Sequence, residues 1–179
     1  KISKNKCINK KTGRVISAII PVHIFGHSCD IKNIKQIAKK FKLKIVEDAS
    51  EALGSFYKNQ HAGTFGQAGI LSFNGNKIIT TGTGGAILTN NQFLAKRIRH
   101  ISSTARVRKS WEFYHNQVGY NYLMPNLNAA LGISQINDLK NRIRKKRLLN
   151  KKYTQIFKTI KKFYVLKEPK KAKKTAGKK

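Results

Sequence analysis

The chain has 179 residues, of which 40% are hydrophobic, and its 38 lysines and arginines against 7 aspartates and glutamates give a formal net charge of +31. This length and apolar content suffice for one domain with a packed core, and they exclude a disordered or collagen-like chain. The two cysteines are too few for a disulfide framework, and the longest apolar run, residues 15–22, is too short to cross a bilayer, so we expect a cytoplasmic protein with no membrane partner.

Apolar runs and one amphipathic repeat organise the first fifty residues. Residues 15–22 are mostly β-branched and end near Pro21, which predicts a buried strand. Apolar residues at helical spacing predict a helix over 31–41, and the run 43–47 predicts a second strand. Strand, helix and strand in this order predict a parallel βαβ unit with a right-handed crossover.

Shorter elements follow in the middle of the chain. Apolar runs predict strands near 55–57, 69–73 and 86–89, and residues 91–102 have a helical pattern. Residues 103–124 mix aromatic and basic side chains without a clear period, so we expect an irregular segment. The order of these elements predicts an α/β fold with a mostly parallel central sheet.

The last third of the chain has a long helical pattern. Apolar residues recur every three or four positions from Ala129 to Ile160, and Pro125 supplies a start signal, so the sequence predicts one helix over about 30 residues. Basic residues cover the opposite face of this helix, and the tail from Leu166 is rich in lysine. The excess positive charge is therefore spread over the whole chain.

Two features could carry chemistry. Three of the 7 acidic residues lie together, and one of them, Asp48, directly follows a predicted parallel strand. Ligands of open α/β sheets bind outside the carboxyl ends of such strands. Lys77 lies on a short loop between apolar runs, where desolvation would make its amine a nucleophile. A loop carboxylate and a solvated loop lysine are the alternative interpretations.

Several segments, in this order, resemble those of the DegT/DnrJ/StrS-type sugar aminotransferases. They are PVHIFG (21–26), VEDASEALGS (46–55), GTFGQAG (63–69), SFNGNK (72–77), TTGTGG (80–85), VGYNY (118–122) and AALG (129–132). The resemblance extends over about residues 11–170, and residues 102–113 are most similar to the branch that serves legionaminic acid and related nonulosonic acids. It implies the large domain of a fold-type I transferase that depends on pyridoxal phosphate.

The resemblance implies two catalytic residues. Lys77 would bond covalently to the cofactor aldehyde, and its amine would later move a proton between the substrate carbon and the cofactor. Asp48 would pair with the protonated pyridine nitrogen and keep the ring cationic. The implied reaction transfers an amino group from an amino acid, expected to be glutamate, to a nucleotide-diphospho-keto-sugar.

Further positions match cofactor-binding residues of the family. Ser72 matches a hydroxyl that binds the cofactor phosphate, and Ser50 matches the small residue against the ring. Glu51 occupies a position near the cofactor where relatives carry His, Gln or Glu. Asn121 matches an asparagine that reaches the phosphate from the partner subunit, so the resemblance implies a homodimer. Leu123 departs from the family, which usually carries Arg there.

The resemblance also suggests how the chain is divided. Residues 1–124 would be part of the cofactor-binding large domain, residues 125–160 a long connecting helix, and residues 161–179 the start of a truncated C-terminal domain with a lysine-rich tail. Relatives place another substantial segment before this point. We therefore expect an internal fragment with an incomplete site.

Other signals have simpler interpretations. The glycines of residues 80–85 lack the Walker pattern and indicate a tight turn. His23 and His27, near Cys29, offer too few ligands for a metal site, so we predict no metal. The net charge of +31 supports a basic nucleic-acid-binding module as an alternative, but no nucleic-acid-binding motif accompanies it, and we do not expect that partner. An inactive aminotransferase remnant is the second alternative.

Overall fold

The computed structural model describes residues 2–3, 6–107, 111–160, 162–167 and 172–173. The strands in these ranges are β1 (Ile2–Ser3), β2 (Lys6–Ile8), β3 (Val15–Ile16), β4 (Ala18–Ile19), β5 (Lys44–Asp48), β6 (Phe56–Tyr57), β7 (Gln60–His61), β8 (Ala68–Ser72), β9 (Gly85–Leu88) and β10 (Ala172–Lys173). The α-helices are α1 (Ile31–Lys40), α2 (Gln92–Ser102), α3 (Asn126–Ile136) and α4 (Leu139–Phe157).

A four-stranded sheet in the order β4-β5-β8-β9 forms the centre of the fold. Strands β4, β5 and β8 are parallel, and β9 runs antiparallel to β8. Helix α1 connects β4 to β5 and buries Ile31 and Ala38, which confirms the predicted βαβ unit. The α/β fold with a mostly parallel sheet is the one that the sequence predicts.

The predictions for the middle of the chain are confirmed with small changes of boundary. The expected strands near 55–57, 69–73 and 86–89 are β6, β8 and β9. The helix expected over 91–102 is α2, whose first turn is capped because the Asn91 side chain accepts a hydrogen bond from the Leu94 amide. Of the helices in the described ranges, none has the length and apolar character needed to cross a membrane.

The single buried strand predicted over 15–22 is wrong. Val15 pairs with β2 in a separate antiparallel sheet, whereas Ile19 pairs in parallel with β5 in the central sheet. The chain changes sheets at Ser17, between the two short strands, and Ile20 is exposed. An apolar β-branched run can thus be divided between two sheets, each of which covers only part of it.

The single helix of about 30 residues is also wrong, because the chain turns between α3 and α4. Asn137 and Asp138 form this turn, and the Asp138 amide donates to the Gln135 carbonyl at 3.1 Å. Both residue types are weak helix formers. The carboxylate of Asp138 lies at the start of α4, where the helix dipole favours negative charge, and it pairs with Arg142 at 3.5 Å.

One cluster of buried apolar residues comes from the part of the chain between β5 and β9. Ala49, Ala52, Ala62 and Leu71 form it, and partly buried side chains such as Phe73 pack against it. The small residues let the segment after β5 pack directly on β8. This packing fixes the position of the polar residues that follow β5.

Candidate active site

The polar residues singled out from the sequence meet at one edge of the central sheet. Asp48 is the last residue of β5, and Ser72 is the last residue of β8. Because these strands are parallel, with Asp48 in register with Ile70, both carboxyl ends lie at the same edge. Gly85 is in register with Ser72, so the loop that carries Lys77 starts and ends at this edge too.

Asp48 is half-buried, and its carboxylate is organised by Ser50. One carboxylate oxygen, Oδ1, accepts hydrogen bonds from the Ser50 hydroxyl at 2.6 Å and from the Ser50 amide at 3.0 Å. These bonds hold the pKa of Asp48 below its ordinary value, against the opposing effect of burial, and the charge of Lys77 lowers it further. Asp48 is therefore an ionised carboxylate within electrostatic reach of the lysine.

Lys77 projects toward the segment that follows β5. Its Nζ lies 3.5 Å from a carboxylate oxygen of Glu51, and its side chain is only 18% exposed, against 41% for Glu51. The other carboxylate oxygen of Glu51 accepts from the Phe25 amide at 2.6 Å. Phe25 has a left-handed conformation, with φ of 54°, and the following Gly26 has φ of 75°. Glu51 thus joins the lysine to a tightly turned loop, a contact that the sequence does not signal.

A cleft of about 1650 Å³ opens at this edge of the sheet. Ser50, Glu51, Ser72 and Lys77 all line it. The wall formed by α4 is basic and contributes Lys140, Arg144, Lys146, Arg147 and Lys151. The cleft therefore combines the Lys77 amine, hydroxyl groups and a positively charged wall, a set suited to an anionic ligand.

Asn121 lies away from this cleft. It is exposed and forms an isolated antiparallel bridge with Ser103 in the irregular segment predicted over 103–124. The described residues of that segment do not line the cleft. Within one chain, the structure brings together Asp48, Ser50, Glu51, Ser72 and Lys77, and it does not bring Asn121 to them.

A second carboxylate, Glu47, faces the opposite way from Asp48 and is fully buried. It accepts hydrogen bonds from His23 Nε2 at 3.0 Å and from the amides of Gly63, Phe65 and Gly66 at 2.8, 2.5 and 2.7 Å. Burial raises the pKa of Glu47, but these four bonds lower it by more, so the pKa lies below its ordinary value. We call these five residues the Glu47 network.

The histidine of this network is held as one neutral tautomer. His23 Nδ1 accepts a hydrogen bond from the Cys29 amide at 3.1 Å, so the ring proton is on Nε2, which donates to Glu47. Its backbone amide also donates to the Asp48 carbonyl at 2.9 Å. The network therefore braces the strand end that carries Asp48. The scarcity of acidic residues is the only signal in the sequence that points to this network, and it is weak. In the described part of the chain, no group of three or more His, Cys, Asp or Glu side chains could hold a metal ion.

Comparison with known proteins identifies the family to which this fold belongs. The profile of the DegT/DnrJ/EryC1/StrS aminotransferase family matches residues 3–178. The chain therefore belongs to the DegT/DnrJ/EryC1/StrS aminotransferase family.

Individual relatives cover most of this chain. It is 37% identical to the putative pyridoxal phosphate-dependent aminotransferase EpsN of Bacillus subtilis. The 144 aligned residues cover 80% of this chain and 37% of the relative. It is 40% identical over 140 residues to the GDP-perosamine synthase of Escherichia coli O157:H7, covering 78% of this chain and 38% of the relative. The chain thus spans about two-fifths of the length of these relatives.

Solved structures share the fold. Helicobacter pylori PseC, an aminotransferase involved in the biosynthesis of pseudoaminic acid, is 32% identical with a TM-score of 0.78, covering 84% of this chain and 40% of that one. The aminotransferase TlmJ from Streptoalloteichus hindustanus is 26% identical with a TM-score of 0.84, covering 92% of this chain and 45% of that one. These matches agree with the fold-type I class that the sequence implies.

Proposed function

We propose that this chain carries the cofactor-binding part of a pyridoxal-phosphate-dependent aminotransferase that transfers an amino group from an amino acid to a nucleotide-linked keto-sugar. The observation that carries the proposal is that Asp48, Ser72 and Lys77 meet at one edge of the central sheet, where parallel strands end and where Ser72 and Lys77 line the cleft. Family membership over residues 3–178 supports it independently.

The residues that meet at this edge of the sheet fit this cofactor by their chemistry. Asp48 is an ionised carboxylate, as a protonated pyridine nitrogen requires. Ser72 and Ser50 offer hydroxyl groups, and the basic residues of α4 give the cleft the positive charge that a phosphate group requires. Lys77 offers a largely buried primary amine. We propose that these residues hold the cofactor together with Glu51.

Pyridoxal phosphate supplies an aldehyde and an electron-withdrawing ring, which stabilise the carbanion that amino transfer needs. We propose that Lys77 would hold the cofactor by condensation of its Nζ with this aldehyde, with loss of water, and that its amine, once displaced by the amino donor, would move a proton to and from the substrate carbon. Asp48 keeps the pyridine nitrogen protonated, and Ser50 orients Asp48 through the hydrogen bonds at 2.6 and 3.0 Å. Glu51 holds the lysine inside the cleft through the ion pair at 3.5 Å.

We infer that the acceptor is a nucleotide-diphospho-keto-sugar and that glutamate is the donor. Names of the relatives support a nucleotide-linked acceptor, among them the GDP-perosamine synthases and the UDP-4-amino-4,6-dideoxy-N-acetyl-beta-L-altrosamine transaminase of Campylobacter jejuni, which is 35% identical over 148 residues. We propose the branch that serves legionaminic acid and related nonulosonic acids, and the likeness to PseC supports that group of sugars.

The proposal includes a homodimer and the domain division at residues 124 and 160. Side chains of α3 and the segment before it support an interface, since Leu127 is 84% and Val118 81% exposed. Asn121 lies in that segment, so a second copy could bring it to the cleft of its partner. The cytoplasmic location stays a prediction.

The test is amino transfer by the protein expressed from the complete coding region, supplied with pyridoxal phosphate, isotope-labelled glutamate and either a UDP-linked or a GDP-linked keto-sugar. We expect mass spectrometry to find the label on the sugar of one of the two acceptors. Lys77→Ala should abolish transfer, whereas Lys10→Ala, on an exposed turn, should leave it unchanged. Transfer that survives Lys77→Ala would contradict the proposal.

The two alternatives from the sequence give different results in the same preparation. An inactive remnant would give no transfer with any acceptor. A nucleic-acid-binding module would bind polyanions with a steep salt dependence and would lose affinity on removal of residues 166–179. Its support is the net charge of +31, which is spread over the chain.

A further inference from the structure

The loop that carries Lys77 is closed at its base by hydrogen bonds. The Phe73 carbonyl accepts from the Thr81 amide at 2.9 Å and from the Thr80 hydroxyl at 3.0 Å. Residues 74–79 therefore form a closed loop, which we call the Lys77 loop, and Phe73, Thr80 and Thr81 form its neck. Within the loop, the Lys77 amide donates to the Asn74 carbonyl at 3.0 Å. The position of the lysine amine thus depends on the position of the neck.

Helix α3 holds this neck through two side-chain amides. Gln135 Oε1 accepts from the Thr80 amide at 3.1 Å, and Gln135 Nε2 donates to the Thr80 carbonyl at 2.7 Å. One glutamine therefore satisfies both backbone groups of Thr80, as a neighbouring strand would. Asn128 Nδ2 donates to the Thr81 carbonyl at 2.6 Å. All three bonds join residues that are 47 or 55 positions apart in the chain.

The spacing along α3 shows why both amides reach the neck. Asn128 and Gln135 are seven residues apart, which is two helical turns, so they lie on one face of the helix. Gly132 lies between them on that face, and a Cβ there would come within 2.9 Å of Thr81 Cγ2. The close approach that glycine permits brings the helix against Thr81, which is buried.

We propose that Gln135, assisted by Asn128, is a positioning residue that fixes the Lys77 amine in the cleft by holding the neck of its loop against α3. The inference rests on the proposed role of Lys77 as the cofactor lysine. Gln135 itself does not line the cleft, so it acts through the backbone of Thr80. Displacement of a reacting group by about 1 Å can cost up to about a hundredfold in rate.

The first experiment measures the neck without any cofactor. Amide hydrogen exchange in residues 74–83 of the full chain is compared between wild type, Gln135→Ala and Asn128→Ala. We expect exchange there to become about tenfold faster in Gln135→Ala and less so in Asn128→Ala. Ser134→Ala is the matched control, because the Ser134 hydroxyl bonds within α3, to the Leu131 carbonyl at 2.8 Å, and should leave exchange unchanged.

The second experiment measures the amine. Each variant receives pyridoxal phosphate, is reduced with borohydride at set times, and is mapped by peptide mass spectrometry. We expect labelling of Lys77 to slow about tenfold in Gln135→Ala, while labelling of exposed lysines in the same sample stays unchanged. Gln135→Glu should recover part of the rate, since a carboxylate can still accept from the Thr80 amide but cannot donate to the Thr80 carbonyl.

The two experiments separate the inference from the proposed function. If Lys77 is not labelled in the wild-type protein, the proposed role of this lysine is wrong. The hydrogen-exchange result would still decide whether α3 holds the neck. Equal exchange in residues 74–83 of all four proteins, or equal labelling of Lys77 in wild type, Gln135→Ala and Asn128→Ala, would overturn the inference. A variant that unfolds is recognised by circular dichroism, and the other variant then supplies the comparison.

Discussion

Glu47 and Glu51 lie four residues apart and have opposite surroundings. Glu47 is fully buried and accepts four hydrogen bonds, from His23 and three backbone amides. The side chain of Glu51 is 41% exposed, and its carboxylate oxygens contact the Phe25 amide and the Lys77 amine. A carboxylate saturated with donors stabilises a fold, whereas one with spare acceptor capacity beside an amine is available for chemistry.

The division follows from the geometry of a strand. Successive side chains of β5 point to opposite faces, so the Glu47 side chain enters the protein interior while the half-buried Asp48 side chain points to the other face of the strand. The His23 backbone amide donates a hydrogen bond to the Asp48 carbonyl, so the buried Glu47 network holds the backbone of Asp48 in place. We expect substitutions in the Glu47 network to cost stability and substitutions in the cleft to cost activity.

The largest effect on stability is expected for Glu47→Gln. A glutamine amide would present N–H groups to donors that now point at a carboxylate, and at least one buried donor would lose its acceptor. We expect a loss of about 3–5 kcal/mol in the free energy of unfolding. Urea denaturation followed by circular dichroism measures it.

Glu51→Gln is the matched control for that substitution. Because the ion pair with Lys77 is partly exposed, we expect its removal to cost less than about 1 kcal/mol. Equal losses in the two variants would show that the contrast between the buried and the cleft carboxylate is wrong.

The next prediction compares a glycine beside the Glu47 network with a glycine in the Lys77 loop. A Cβ on Gly69 would come within 1.9 Å of the Gly63 carbonyl oxygen, close to the amide that Glu47 accepts from, whereas Gly75 in the Lys77 loop has open space. We expect Gly69→Ala to destabilise by about 1–3 kcal/mol and Gly75→Ala by less than about 0.5 kcal/mol. Thermal unfolding of both variants tests this, and a tolerated Gly69→Ala would contradict the packing described for β8.

The smallest effect concerns His61, which links the β6–β7 hairpin to the cleft wall. Burial lowers its pKa, and Nε2 accepts from the Gly54 amide at 2.8 Å, so the folded state requires the neutral ring. Because the pKa of His61 is lower in the folded state than in the unfolded state, the contribution of His61 to the free energy of unfolding is fully present above the ordinary histidine pKa of about 6.5. That contribution declines as the pH falls through and below this value. His61→Gln should reduce this slope in unfolding measured between about pH 7 and 5, and an unchanged slope would argue against the neutral ring.

Local sequence patterns correctly predicted the helices and strands whose own residues show a helical spacing or an apolar run. The helical spacing behind α1 and α2 and the apolar runs behind β5, β8 and β9 were enough to predict the βαβ unit and the sheet edge at which Asp48 and Ser72 meet. The two elements predicted wrongly failed for different reasons. The run 15–22 divides because β2 and β5 each pair with part of it, and the α3–α4 turn was hidden by apolar spacing that continues across it.

The candidate site was predictable only in part. Asp48 and Lys77 stand out by position in the sequence and by family resemblance. The contacts of Glu51 with Phe25 and of Gln135 with Thr80 join residues 26 and 55 positions apart, and no local pattern indicates them. Side chains that position a reactive group through the backbone are therefore the part of this site that only the fold reveals.

The most direct test of the account is the identity of the lysine that bonds pyridoxal phosphate. The wild-type chain is incubated with the cofactor, reduced with borohydride, digested and mapped by mass spectrometry. We predict that Lys77 is modified first and in a one-to-one ratio, ahead of the exposed lysines. Modification spread over exposed lysines, with Lys77 unmodified, would contradict it.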